Sequence, residues 1–234
     1  MTKKRGKRYL GISERLEKNK KYASLESIKL MKEISHCGFE ESVEVAVHLN
    51  IEPKKRGERV RGTVVLPHGT GKKLKVLVFA KGEKAEEASK AGADWVGDEE
   101  LIAKVEKGWL DFDAVVASPE LMKDVAKLGR ILGPRGLMPS PKVGTVSENP
   151  SEAVKELKKG KIEYRNDASG GIHTSIGKIS FTDNALLENL KVLLRALNKD
   201  KPSTVKGTYV RGISLCSTMG PGIKVDPGSL LGDL

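Results

Sequence analysis

Aromatic side chains are scarce, 4% of the 234 residues. Modules that grip single-stranded RNA stack bases on aromatic platforms, and few are available here. Cysteine is scarcer still. Cys37 and Cys216 have no metal-ligand spacing and support neither a disulfide framework nor a zinc site. No apolar run approaches the ~20 residues a membrane-spanning helix needs. The first residues, Met1-Thr-Lys-Lys-Arg-Gly-Lys-Arg8, lack the apolar stretch of a secretory signal, so a cytoplasmic chain that does not engage a membrane is expected.

Catalytic and cofactor signatures are also missing. Gly69-Thr-Gly-Lys72 resembles part of a phosphate loop, but Leu66 and Lys73 stand where a glycine and a hydroxyl residue belong, and a strand follows instead of a helix. Lys81-Gly-Glu83 offers no dinucleotide fingerprint. His36 and Cys37 are sequence neighbours and cannot face each other as base and nucleophile. The four histidines share no metal spacing. Neither an enzyme, a metal site nor a cofactor is expected.

Positive charge is present in excess. Lys plus Arg number 42 against 31 Asp plus Glu, a net of +11. Such a surplus suits a polyanion, nucleic acid ahead of an acidic membrane, or else an ordinary soluble basic protein. With few aromatics, a nucleic-acid partner would be folded, base-paired RNA read by backbone and shape. The charge is unevenly spread. Residues 68–159 hold 16 basic and 15 acidic side chains, leaving 26 and 16 to the flanks, or +1 against +10.

Hydrophobic spacing divides the chain at the same places. A short amphipathic helix is expected around Ile12 to Lys18, then one capped by Ser24 with Leu25, Ile28, Met31 and Ile34 in the core. Val43, Val45, Val47 and Leu49 alternate as a half-buried strand. A basic loop with Lys54, Lys55 and Arg56 leads to a strand at Thr63 to Leu66. From Leu74 the pattern changes to strands at 74–80, 94–96 and 112–117, alternating with helices at 83–91, 99–107 and 120–128. That alternation implies a parallel sheet. Beyond it come a helix at 149–160, strands at 162–165 and 172–180, a helix capped by Thr182, and strands at 205–216 and 223–225. The expectation is an α+β split domain, antiparallel sheet with helices, over 1–67 and 160–234. It is interrupted by an α/β Rossmann-like domain with a parallel sheet over 68–159.

Gly129 to Thr145 holds four glycines and three prolines, too many for a helix or interior strand, yet carries Ile131, Leu132, Leu137, Met138 and Val143. A fixed, folded loop is expected. Ser217-Thr-Met-Gly-Pro-Gly222 follows a strand and fits either of two readings. It is a tight turn, or a place where glycine lets backbone approach RNA while hydroxyls bond 2′-hydroxyls and base edges.

Leu128 to Thr145 resembles the signature loop of the L-one family of large-subunit ribosomal proteins, which bind the mobile stalk of that subunit. Val60 to Gly71, Gly108 to Ala117 and Gly207 to Gly222 are similar too, and the likeness runs from about Lys7 to Val225. Gly38 departs from the lysine often found there, and Cys216 from the usual hydroxyl residue. The resemblance implies that Thr218-Met-Gly220 is the family's RNA-binding triplet and that Phe39 to Val45 is its other RNA-facing segment. Lys206-Gly-Thr-Tyr209 resembles the preceding strand. The candidate RNA-binding residues are therefore Phe39, Ser42, Lys54, Lys55, Arg56, Lys206, Thr208, Ser217, Thr218, Met219 and Gly220. The implied partners are large-subunit ribosomal RNA, deacylated transfer RNA leaving the exit site, and the messenger RNA of the protein's own operon, which it represses. Off the ribosome a monomer is implied.

Overall fold

The computed structural model describes residues 6–17, 20–35, 37–53 and 59–231. Two units emerge, Met1–Gly71 with Ile162–Leu234, and Lys72–Lys161. The first begins with helices α1 (Lys7–Glu14) and α2 (Ser24–Ile34) and strands β1 (Ser42–Leu49) and β2 (Arg61–Val65). Residues 54–58, which include Lys54, Lys55 and Arg56, lie outside the described residues.

The second unit alternates β3 (Val76–Phe79), α3 (Glu83–Lys90), β4 (Trp95–Gly97), α4 (Glu99–Glu106) and β5 (Ala114–Ala117). The three strands form a parallel sheet in the order β4-β3-β5. β3 is fully buried because apolar side chains cover both of its faces. One face carries Leu77 and Phe79 against Leu101 and Val105 of α4; the other carries Val76 and Val78 against Ala88 of α3. The segment after β5 is tighter than a single helix. It runs from a 3₁₀ turn at Pro119–Leu121 through α5 (Met122–Val125), a second 3₁₀ turn and α6 (Gly129–Leu132). The glycine-rich stretch thus contains helix after all. Gly129 and Gly133 bracket that turn instead of interrupting it, and Leu132 anchors it in the core at 0% exposure. Helix α7 (Pro150–Lys159) closes the unit, with Pro150 at its first position and Gly160 in the left-handed region at its end.

The chain then returns to the first unit through β6 (Lys161–Arg165), β7 (Gly171–Lys178), α8 (Asp183–Lys199), β8 (Val210–Ser217), β9 (Ile223–Val225) and α9 (Gly228–Leu231). β7-β1-β8-β9 form an antiparallel sheet, and β2 pairs with β6 apart from it. In α8 the Thr182 hydroxyl accepts from the Ala185 N–H at 3.3 Å, and Leu186, Leu190, Leu193 and Leu197 are fully buried. Val43, Val45, Val47, Ile213 and Leu215 meet them with Ile28, Met31 and Ile34 of α2 in one core.

Three local expectations shift. α1 starts at Lys7, earlier than expected, and Ile12 is buried within it. Ala23, not Ser24, is the N-cap of α2, and Leu25 is 37% exposed. A three-residue step falls about 60° short of a full helical turn, so 25-28-31-34 drifts around the helix and its first member leaves the core side. The units meet at 71/72 and 161/162, a few residues beyond the expected 67/68 and 159/160. Buried Asn189 of α8 explains the first shift. It accepts from the His68 N–H at 3.1 Å and donates to the Gly69 carbonyl at 3.0 Å, fastening these residues to the first unit.

Candidate nucleic-acid interface

β1 and β8 run antiparallel with Val43 opposite Ser217, so the start of one strand meets the end of the other. That register brings Ser42 and Thr218 to Gly220 together from positions far apart in sequence, with Phe39 three residues before Ser42. The Ser42 N–H donates to the Thr218 hydroxyl at 3.0 Å, and the Thr218 N–H donates to the Ser42 carbonyl at 3.1 Å. The Gly220 N–H closes a turn on the Ser217 carbonyl at 3.0 Å.

Beneath this turn lies Glu41, 1% exposed. Its carboxylate accepts from the Ser35 hydroxyl and from the Met219 N–H, the latter at 2.9 Å, and from the side chains of Ser217 and Cys37. Burial alone would raise its pKa. The four donors outweigh burial and hold it at about 2, so the group is an anion throughout the physiological range. The end of α2, the start of β1 and the end of β8 are thereby tied to one buried charge. Sequence reasoning missed Glu41, since a glutamate in an acidic pair reads as a solvated face.

The turn presents apolar side chains outward. Phe39 is 55% and Met219 59% exposed, the two largest exposures of bulky apolar side chains among the described residues. Thr218 is exposed as well. Lys178 stands beside them, opposite Ser42 in the register, and donates to the Ser42 hydroxyl at 3.1 Å and to the Glu40 carbonyl at 3.4 Å. It brings a positive charge that the sequence reading also missed. Its only signal was its place at the end of the strand pairing with β1.

Ser217 lies inside, 2% exposed, and its hydroxyl serves Glu41. A Cβ on Gly220 would sit well inside contact distance of the Ser217 hydroxyl, which explains a glycine there by space. Its φ is not in the left-handed region. Lys206 and Thr208 are exposed but stand before the opposite end of β8, a strand that spans about 23 Å. They are not brought to the turn. Near them, the Asn50 N–H donates to the Tyr209 carbonyl at 2.7 Å. Among the described residues no His, Cys, Asp or Glu cluster could hold a metal ion, and no helix is long and apolar enough to cross a membrane.

Charge follows this geometry. The second unit holds 17 basic and 15 acidic side chains over 72–161, leaving 25 and 16 to the first, or +2 against +9.

Residues 30–221 match the Ribosomal protein L1p/L10e family. The chain is also similar to a protein of Phytoplasma australiense described as large ribosomal subunit protein uL1. The two are 53% identical over 224 residues, which cover 96% of this chain and 98% of the relative.

Proposed function

The chain belongs to the Ribosomal protein L1p/L10e family, and we propose that it is a structural protein of the large ribosomal subunit, not an enzyme, and binds a folded stalk segment of ribosomal RNA through its first unit. One observation carries the proposal: the two most exposed bulky apolar side chains among the described residues are Met219, within a turn fixed by a buried carboxylate, and Phe39, two residues before that carboxylate. Exposed apolar surface on a rigid support, ringed by hydroxyls and a lysine, suits the shallow minor groove of base-paired RNA. There 2′-hydroxyls and sugars offer both apolar and hydrogen-bonding contact. Phe39 and Met219 lie against sugars, Thr218 and Ser42 bond 2′-hydroxyls, and Gly220 lets backbone come close. Lys178 meets phosphate, Lys206 and Thr208 add backbone contacts away from the turn, and Lys54, Lys55 and Arg56 add phosphate contacts as well.

Family membership supports the rest of the proposal. The bound stalk moves with deacylated transfer RNA leaving the exit site, and the same surface holds a similar fold in the operon messenger RNA to repress translation. The protein works in the cytoplasm and is a monomer off the ribosome. Footprinting on total ribosomal RNA tests the core of this. One protected segment in the large-subunit RNA is expected, lost in Phe39→Ala/Met219→Ala. Uniform weak protection of all duplex regions would make the chain a nonspecific basic protein.

A further inference from the structure

Both tryptophans of the chain line one cleft of the second unit. Trp95 begins the edge strand β4 and Trp109 follows α4. Their ring centroids are 5.0 Å apart at an interplanar angle of 86°, which makes a right-angled aromatic corner. Leu101, Lys104 and Lys107 complete the lining around a space of 480 Å³. Both indoles keep partial exposure.

The charges around this corner are unevenly satisfied. Asp111 holds the Lys75 ammonium at 2.7 Å, and that ammonium lies 5.7 Å from the centre of the Trp95 ring. Asp113 accepts from the Lys75 N–H at 3.0 Å, while Asp94 accepts from the Val76 N–H at 2.9 Å and pairs with Lys158 at 3.3 Å. These carboxylates are engaged. Lys104 and Lys107, in the last turn of α4 and just beyond it, are exposed and have no ion-pair partner among the described residues.

We infer that this corner binds one unstacked nucleobase with its phosphate. The base lies on one indole with its edge toward the other, the two arrangements aromatic rings prefer. Lys104 and Lys107 take the phosphate as point charges. Stacking of this kind tolerates any base. An acidic peptide would use the lysines but has less need of a planar corner, so the nucleotide is favoured. The site belongs to the second unit and does not depend on the assignment of the Phe39–Met219 turn in the first.

Intrinsic fluorescence of the full chain tests this, because no tryptophan lies elsewhere. Titration with GMP, corrected for absorption, is expected to quench saturably, whereas ribose 5-phosphate and inorganic phosphate leave the signal unchanged. Lys104→Ala/Lys107→Ala should weaken GMP by about three- to tenfold, the worth of two exposed ion pairs, with an unchanged melting temperature. A single-stranded ribotetranucleotide binding more tightly than GMP identifies a looped-out RNA nucleotide as the natural occupant. Equal affinity identifies a free nucleotide. No saturable response to any nucleotide, or an equal response to ribose 5-phosphate, overturns the inference. So does tighter binding by an acidic, phenylalanine-containing peptide, which would make the cleft a protein-docking site.

Discussion

Glu41 is the residue on which the turn depends. Its folded pKa of about 2 lies below the ordinary 4.5, so the unfolded chain takes up protons first on acidification. Its stabilisation is complete above about pH 4.5 and is lost as pH falls through 2. The shift corresponds to roughly 3 kcal/mol. Glu41→Gln should lower stability by about 1–3 kcal/mol at pH 7, since an amide must aim a donor at groups that already donate. It should also remove part of the acid-induced decline between pH 4.5 and 2. Denaturant unfolding across that range checks both; an unchanged acid profile would remove Glu41 from its place in the turn. Met219→Ala should weaken specific RNA binding with no change in melting temperature, because its side chain is mostly exposed while the N–H that meets Glu41 remains. Gly220→Ala behaves differently. A methyl group there presses on the Ser217 hydroxyl, so stability and RNA affinity should fall together. Family resemblance pointed to Phe39, Ser42 and the triplet as candidates, but what supports the turn was not legible. The Met219–Glu41 bond joins residues 178 positions apart, and no local pattern announces such a partner.

At the scale of elements, the strands were legible where one physical rule dominates. Clean alternation in β1 and the continuous apolar run of β3 each answer to a single burial pattern. The Thr182 cap and leucine stripe of α8 were legible for the same reason, and Leu190→Ala should cost about 2–5 kcal/mol in unfolding experiments. Legibility failed where two rules compete. In Gly129 to Leu132 glycine argues against helix, but burial of Leu132 prevails. The site was separated by strand length in a way that sequence adjacency conceals: Lys206 and Thr208 precede β8, and the triplet follows it. Lys206→Ala should therefore flatten the salt dependence of RNA binding by at most about 0.9 in log–log slope, and preference for the stalk RNA over unrelated duplex should persist. Loss of that preference would place the specific contact at the far end of the strand.

For the whole molecule, we propose that the first unit recognises the stalk RNA and that the second is inserted into it. The charge surplus, the exposed Phe39 and Met219 and the Glu41-held turn belong to the first unit. The second has its own core and adds little net charge. The most direct measurement is the affinity of a stalk RNA fragment for the chain with 72–161 replaced by a short flexible linker, compared with the full chain at the same salt. The deletion should bind within about tenfold of the full chain and keep its preference over unrelated duplex RNA. Loss of that preference, in a deletion whose circular dichroism and cooperative melting show it folded, would contradict the account.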